Sequence, residues 1–375
     1  MAASHTPPPP VLAVLMGLAG AVVAAILGFL TFGAQATAHP DHVPLAVVAP
    51  ADGPLHAAAT QVASQGGDLV SWRVTTADEA RNLLDDKKIY GFLDLTDAPA
   101  NPKIVVSGAI NPQGAQFAQQ ILTEVVHKAA AATPGAPNVE TIMIHPASLA
   151  ARTAPLAASA LLWICGLVAT LGFGALIARR KVHAGIGARS LVALTATLGG
   201  VGVISGLFTL WDNSMPLTWN VLGFLALTAL AFTAVQGALL RLLGIRAAVI
   251  LGPLYLIAPA VAGQVPELVN PTYRSLLWSW TPFRFSTEAL RSLLLGTPSA
   301  PDVRLGVIVL ASMAAFGLTV LVLMGLRSRP RQEAQPDGPD RVVDIGVDHA
   351  DGLPGAEPEV PVQNRNGGVR GYQRR

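Results

Sequence analysis

Long runs of apolar residues alternate with short, more polar connections along most of the chain. A helix needs about 20 mostly apolar residues to cross the hydrocarbon core of a bilayer. Runs without Asp, Glu, Lys or Arg predict six spans, near residues 11–32, 155–178, 190–210, 220–240, 247–262 and 305–326. The fifth run is short and contains Pro253 and Pro259. Each proline removes a backbone hydrogen-bond donor, so we expect this helix to be kinked.

Residues 34–152, between the first two runs, change to short alternating units. Strand patterns occupy residues 44–49, 72–75, 90–95 and 103–107, and helix patterns occupy residues 54–64, 76–86 and 112–131. Thr76 and Glu79 have the spacing of a capping box. Strands that alternate with helices indicate a partly parallel sheet. The fold class we expect is therefore a polytopic α-helical membrane protein with six spans and a small α/β extracytoplasmic domain inserted between spans one and two.

The distribution of cationic side chains predicts the orientation of the spans. Short cytoplasmic loops are enriched in Lys and Arg, and here these residues gather in the links after spans two, four and six, whereas the link 212–218 has none. Both termini are therefore predicted to be cytoplasmic, with Trp211, Trp219, Trp278 and Trp280 in an interfacial belt on the outer side. Abundant Ala, Gly, Pro and Arg suggest a bacterial source, and hence the bacterial plasma membrane.

The resulting domain plan has a Pro-rich cytoplasmic N-terminus (1–10), a first span (11–33), the α/β domain (34–152), a transmembrane domain (153–326) and a disordered cytoplasmic tail (327–375). The sequence Ala36-Thr37-Ala38 resembles a signal-peptide cleavage site. Residues 1–10 contain no Lys or Arg, however, and the first apolar run is longer than the core of a signal peptide. A retained span is favoured over a cleaved signal.

A helix is predicted near residues 283–295, on the outer side before the last span. It follows Pro282 and places Arg284, Glu288 and Arg291 on one face, at spacings that permit ion pairs. Two placements fit this pattern equally. An amphipathic helix could lie in the outer membrane interface, or a surface helix could pack on the α/β domain.

Composition and motifs exclude several classes of function. Hydrophobic residues make up 51% of the chain and charged residues 13%, and the net charge of +2 gives no indication of nucleic-acid binding. No phosphate-binding loop is present, so the chain is not itself an ATPase. The single Cys165 excludes an intrachain disulfide, and His39 and His42 lie in a linker, which favours a solvated segment over a metal site. We expect no enzymatic activity, cofactor or metal. Gln236, the most polar side chain of the spans, is predicted to have a structural role.

Three stretches resemble the ABC type-2 transporter permease family, in particular its phage-infection-protein-like branch. They are residues 43–49 (VPLAVVA), residues 77–80 with 90–93 (ADEA and YGFL), and residues 280–291 (WTPFRFSTEALR), which precede a Leu-Leu-Gly sequence ending at Gly296. The order of parts over residues 11–330 is also similar, since the family has one span, a large extracytoplasmic domain and five further spans.

The resemblance implies a permease subunit of an ABC-type exporter. Such subunits work as paired six-span halves, in homodimers or heterodimers, and bind a cytoplasmic ATP-binding subunit encoded separately. The loop with Arg179, Arg180, Lys181 and Arg189 would then be the ATPase-coupling element, although these cations could equally serve only to orient the spans. The apolar spans favour a hydrophobic or amphipathic substrate that moves outward.

A second hypothesis is a membrane receptor or scaffold that does not transport. Exporters of the family usually begin with an amphipathic cytoplasmic helix, whereas the consecutive prolines of residues 1–10 exclude a helix there. In this hypothesis the α/β domain binds a component of a secretion or envelope-assembly machine.

Overall fold

The computed structural model describes residues 9–64, 66–97, 101–131, 139–182 and 184–327. Residues 1–8 of the predicted Pro-rich segment 1–10 and residues 328–375 of the predicted tail 327–375 lie outside the described residues, whereas Pro9 and Pro10, which were predicted to be non-helical, begin the first helix. The described chain is mostly helical, and five of its helical stretches are long and apolar enough to cross a membrane. These features are consistent with a helical membrane protein.

The helices and strands alternate only in the first part of the chain. The helices are α1 (Pro9–Ala36), α2 (Pro54–Ala63), α3 (Ala77–Asp85), α4 (Pro112–Ala131), α5 (Leu149–Arg180), α6 (Ile186–Trp211), α7 (Trp219–Leu243), α8 (Ala247–Ala262), the single turn α9 (Pro271–Tyr273), α10 (Pro282–Leu294) and α11 (Pro301–Arg327). The strands are β1 (Val43–Val48), β2 (Val70–Thr75), β3 (Gly91–Asp94), β4 (Lys103–Ser107) and β5 (Glu140–Ile144).

The five strands form one mixed sheet in the order β2-β1-β3-β4-β5. β1 pairs in parallel with β2 and β3, β3 pairs antiparallel with β4, and β4 pairs in parallel with β5. The four predicted strands and the partly parallel sheet are thus confirmed, whereas β5 was not predicted. The capping box is confirmed in part, because the Thr76 hydroxyl accepts a hydrogen bond from the Glu79 backbone N–H, but the Glu79 carboxylate accepts from the Thr75 hydroxyl instead.

Six helices of the described chain, α1, α5, α6, α7, α8 and α11, form a bundle beside the sheet. Contacts at their ends show that they alternate in direction. At one end, which we call the sheet end, Lys87 pairs with Asp302 at the start of α11, and Ser148 before α5 bonds to Asp212 after α6. At the other, which we call the basic end, Arg241 of α7 donates to the carbonyl oxygen of Met324 in α11.

The predicted fifth span corresponds to α8, which has 16 residues and is shorter than the other helices of the bundle. A short helical turn at Gly244–Arg246 separates α8 from α7, and Gly244 there has a positive φ of 62°. The chain reverses direction at this turn, because α7 ends at the basic end while the residues after α8 lie at the sheet end. One of the five membrane-spanning candidates, Trp219–Ile257, therefore combines α7 with most of α8.

Close packing in the bundle depends on particular glycines. A Cβ atom on Gly317 of α11 would lie 2.5 Å from the Ala234 backbone of α7. Gly202 and Gly206, whose spacing is typical of packed membrane helices, have no atom within 4 Å of that position. The backbones of α7 and α11 therefore approach each other closely at Gly317.

Candidate functional site at the junction of sheet and bundle

Lys87 occupies an unusual backbone position just after α3. Its amide donates to the carbonyl oxygen of Leu84, and the Lys88 amide donates to that of Leu83, which is the hydrogen-bond pattern of a Schellman motif. Lys87 has the left-handed φ of 58° that this motif requires. Glycine normally fills the position, since a side chain there costs about 1–2 kcal/mol. The lysine side chain is thus presented at the end of the helix despite an unfavourable backbone conformation.

The ammonium group of Lys87 reaches two carboxylates from the far part of the chain. Its Nζ lies 2.6 Å from Oδ2 of Asp302 and 3.6 Å from Oε2 of Glu288, and it also donates to the Glu288 carbonyl oxygen at 3.3 Å. The Ser292 hydroxyl is 2.9 Å and 3.0 Å from the two Asp302 oxygens. Only 13% of the Lys87 side chain is exposed. These contacts hold the sheet against the second half of α10 and the start of α11.

Glu288 is held from three sides. Its Oε1 accepts from the Arg291 guanidinium at 2.5 Å and from the Asn111 amide at 3.3 Å, while Lys87 faces Oε2. Burial alone would raise the pKa of Glu288, but the charges of Arg291 and Lys87 and the hydrogen bonds from Arg291 and Asn111 outweigh it, so the pKa lies below its ordinary value. Glu288 is therefore ionised at neutral pH.

Lys87, Glu288, Arg291 and Asp302 together form what we call the charge junction. It contains two cations and two anions, and Arg291 is only 2% exposed. Buried charges are tolerated where they are paired in this way. No group of three or more His, Cys, Asp or Glu residues that could hold a metal ion occurs among the described residues. The paired carboxylates are occupied by their cations, so the arrangement is suited to fastening two parts of the molecule rather than to acid–base chemistry.

The link between α8 and α10 provides a second attachment to the sheet. The Tyr90 hydroxyl donates to the Glu267 carboxylate, and Val265 and Leu268 complete the hydrophobic core beneath the sheet. Burial, together with the charge of Glu267, raises the pKa of the Tyr90 phenol well above its ordinary value. The amide of His39, after α1, donates to the Leu268 carbonyl oxygen. The sheet is therefore attached to the link that precedes α10 as well as to the residues that follow it.

Two placements were open for the helix that carries Pro282, Arg284, Glu288 and Arg291, and the burial of α10 favours packing within the protein over a position in the membrane interface. No residue of α10 is exposed, whereas an interfacial helix has one face in lipid and the other in water. The helix packs instead against α5, α7, α8 and α11, and its Glu288 contacts residues that lie beside the sheet.

Aromatic contacts fix α10 in this position. The Phe283 ring, fully buried, lies 5.0 Å from the ring of Trp163 in α5 and 5.5 Å from that of Phe232 in α7. The Arg284 guanidinium stacks on Trp278, 3.7 Å from the ring centroid, and makes no ion pair with Glu288. Of the two predicted ion pairs on this helix, only the one between Glu288 and Arg291 is formed.

The predicted coupling residues divide into two groups at the basic end. Arg179, Arg180 and Lys181 close α5 and are all exposed. Lys181 ends the helix in a left-handed conformation, with φ 51°. Arg189 lies in the first turn of α6, is half-buried and lines a cavity together with Arg241 of α7. Three of the four cations therefore form one accessible cluster, and Arg189 belongs to a different environment.

Other residues singled out in the sequence have local partners. His42 bonds to Asp41, 2.7 Å away. Gln236 is fully buried and donates from Nε2 to the carbonyl oxygen of Trp163, 2.9 Å away. This bond joins α7 to α5, in agreement with the predicted structural role.

Sequence reasoning missed Lys87, Asn111 and Asp302. A lysine three residues after the buried Leu84, where a helix ends and glycine is expected, was the available signal for Lys87.

Comparison of the chain with models of protein families, with curated proteins and with solved structures found no match.

Proposed function

We propose that the chain is the membrane-spanning subunit of an exporter driven by a separate cytoplasmic ATPase. The observation that carries this proposal is the continuity of α5. This helix begins after Ser148, close behind β5, and runs for 32 residues to Arg180. At 1.5 Å per residue it is about 48 Å long. A partner that displaced the basic loop would therefore act on one continuous helix that reaches the sheet.

The proposal places the sheet on the outer side of a bacterial plasma membrane and both termini in the cytoplasm. The exposed cluster of Arg179, Arg180 and Lys181 lies at the basic end, as the positive-inside rule requires of a cytoplasmic surface. Trp211, Trp219 and Trp280 are exposed near the sheet end, where indoles fit a membrane interface.

In this proposal α8 is a separate span, the fifth along the chain, and brings the number of spans to six. It starts beside the basic end, its Leu251 carbonyl accepts a hydrogen bond from Trp163 in α5, and its Ile257 and Val261 pack with Ala34 and Tyr273 near the end of α1. A helix of 16 residues is about 24 Å long, less than the usual hydrocarbon thickness, and a short span is accommodated by local thinning of the bilayer.

The proposed assembly is a pair of six-span subunits, of one kind or two, that moves a hydrophobic or amphipathic substrate. Within the described chain α1 packs mainly against α8, and its apolar side chains, including Val22, Ile26 and Phe29, are exposed to lipid or to a second subunit. The buried surfaces between spans are apolar apart from groups such as Gln236.

The coupling loop can be tested by reversing its charge. Arg179→Glu, Arg180→Glu and Lys181→Glu in one variant should abolish co-purification of an ATP-binding subunit and ATP-dependent export, while the chain remains inserted. Arg246→Glu, in the exposed turn between α7 and α8, is the control for loss of positive charge on the same side. Retained export and retained ATPase in a correctly inserted triple variant would contradict the coupling role.

Cysteine labelling tests the orientation separately. In a Cys165→Ala background, Ser299→Cys at the sheet end and Val182→Cys at the basic end are both at exposed positions. A membrane-impermeant maleimide added to intact cells should label the first variant and not the second. The reverse pattern would place the sheet inside the cell.

The alternative function, a receptor or scaffold, is favoured by one feature of the sheet. Among the described residues, β2 is an edge strand that pairs only with β1, and an unpaired edge can bind an extended segment of a partner. Because Val265 and Leu268 complete the core of the sheet, the full chain is the proper bait. Mass spectrometry of proteins retained by the detergent-solubilised chain distinguishes the two functions: a stoichiometric ATPase supports export, and envelope or secretion components without an ATPase support the scaffold.

A further inference from the structure

A polar cavity lies at the sheet end of the bundle, where the end of α1, the start of α4 and the end of α8 meet. Its volume is about 310 Å³, and it is lined by Gln35, Ala38, Gln113, Gly263 and Gln264. The three glutamines come from three separate parts of the chain: α1, the first turn of α4 and the residues after α8. Within the described chain, no ionisable side chain lines the cavity. It therefore offers neutral amide groups and no charge that could balance a charged ligand.

Two of the amide oxygens in this region lack a donor. Oε1 of Gln113 and Oε1 of Gln264 are buried, and neither accepts a hydrogen bond from the described part of the chain. Gln264 as a whole is only 8% exposed. The polar groups nearby bond elsewhere, since Trp278 donates to the backbone carbonyl oxygen of Gln264 and the Tyr90 hydroxyl donates to Glu267. A buried acceptor without a donor is unfavourable because it has lost its bonds to water. A ligand with several donor groups would satisfy both oxygens.

We propose that this cavity binds a neutral, polyhydroxylated group, and that the group is the sugar headgroup of a glycolipid. A hydroxyl both donates and accepts, so it can pair with the oxygen and with the nitrogen of a glutamine amide. The volume lies near the lower limit of small-molecule sites, about 300 Å³, which suits a single sugar ring.

The surface beside the cavity favours a lipid over a free sugar. Phe32 and Phe29 of α1 lie one and two turns before Gln35, and their side chains are 71% and 59% exposed. They form an apolar surface that leads to the polar cavity, as acyl chains joined to a sugar require. The proposal does not rest on export, since a receptor with the same bundle would hold the same lipid.

The binding test uses the full chain in a detergent without a sugar headgroup and three probes: short-chain glucosyl diacylglycerol, short-chain phosphatidylcholine and methyl glucoside. Native mass spectrometry counts the bound probe, and the shift in thermal midpoint reports its effect on stability. We expect the glucosyl lipid to bind about tenfold more tightly than phosphatidylcholine. Gln113→Leu and Gln264→Leu should each weaken its binding about tenfold, which corresponds to about 1.4 kcal/mol. Gln119→Leu, at an exposed position farther along α4, should leave the affinity within about twofold of the wild type.

A further variant separates ligand binding from folding. Ala38 lines the cavity and is exposed, so a larger side chain there does not disturb a packed core. Ala38→Leu should therefore narrow the cavity and block the glucosyl lipid while all three glutamines remain. Equal binding of the glucosyl lipid by the wild type, both glutamine variants and Ala38→Leu would overturn the proposal, as would equal affinity for phosphatidylcholine or the absence of binding by any probe. Binding of methyl glucoside alone, lost in Gln264→Leu, would support the polyol site and assign it to a free sugar instead of a lipid.

Discussion

The ammonium group of Lys87 lies 2.6 Å from the carboxylate of Asp302, although 215 residues separate them in the sequence. Lys87 ends a helix beside the sheet, and Asp302 opens the last helix of the bundle. A single ion pair thus joins the part of the chain that carries the sheet to the last long apolar helix, and Glu288 extends this contact into α10.

Removal of the Lys87 charge should destabilise the chain strongly. Lys87→Gln leaves the carboxylates of Asp302 and Glu288 facing each other in a partly buried site, and loss of one member of a buried pair costs about 3–5 kcal/mol. We expect a loss near the lower limit, about 3 kcal/mol, in the free energy of unfolding of the detergent-solubilised chain. Lys88→Gln is the matched control, because its ion pair with Asp86 is exposed and should contribute less than about 1 kcal/mol. Equal effects of the two variants would show that the junction contributes little.

Lys87→Gly separates the charge from the backbone strain. Glycine removes the ion pair but also the cost of a left-handed side-chain-bearing residue, about 1–2 kcal/mol. This variant should therefore unfold at a higher denaturant concentration than Lys87→Gln. If it proves less stable than the glutamine variant, the left-handed conformation is not a source of strain.

Acidification should loosen the charge junction through Glu288. The pKa of Glu288 is below its ordinary value of 4.5 in the folded chain, so its contribution to stability is complete above that ordinary value and is lost as the pH falls through the lower, folded value. The thermal midpoint of the wild type should fall more between pH 6 and pH 3 than that of Glu288→Gln, which is less stable at pH 6 but lacks this titration. Glu124→Gln, which removes an exposed ion pair with Lys128, should keep the wild-type dependence. A Glu288→Gln profile parallel to that of the wild type would contradict this assignment.

The sequence predicted most elements because their signals are local. Apolar runs marked the bundle helices, and alternating patterns with Thr76 as a cap marked the strands β1 to β4 and the helix α3. β3 and β4 are as short as β5, but most of their residues are buried and apolar, whereas no residue of β5 is fully buried. Its Ile142 and Ile144 are typical of a strand, but the run ETIMI has no continuous apolar stretch of the kind that marks a buried strand.

The position of α10 could not be predicted from its own residues. Arg284, Glu288 and Arg291 at helical spacing give the same pattern whether the polar face meets water or distant partners. Here those partners are Lys87 and Asn111, which lie 201 and 177 residues away from Glu288. Periodicity reports that a helix has a polar face; it does not report what lies opposite that face.

The contact between α7 and α11 should be sensitive to a single methyl group. Gly317→Ala places a Cβ atom 2.5 Å from the Ala234 carbonyl carbon and 2.7 Å from the Val235 amide nitrogen, and backbone atoms cannot yield as a flexible side chain does. Overpacking of this kind costs about 1–3 kcal/mol. Gly206→Ala, where the added atom meets open space, should be neutral or slightly stabilising. Thermal unfolding of both variants in the same detergent checks the difference, and equal midpoints would contradict the close approach of these two helices.

The enclosed position of α10 predicts a large effect of its first aromatic residue. Phe283→Ala removes a fully buried ring that contacts Trp163 and Phe232, and such truncations cost about 3–5 kcal/mol. Phe316→Ala is the control, because the Phe316 ring on α11 is 57% exposed and its removal leaves no cavity, so the expected loss is below about 1 kcal/mol. A helix lying in the membrane interface would instead lose only membrane affinity when Phe283 is truncated. Equal unfolding free energies for the wild type and Phe283→Ala would therefore indicate that α10 lies in the membrane interface. A loss of unfolding free energy several times that of Phe316→Ala would indicate that α10 lies between the sheet and the bundle.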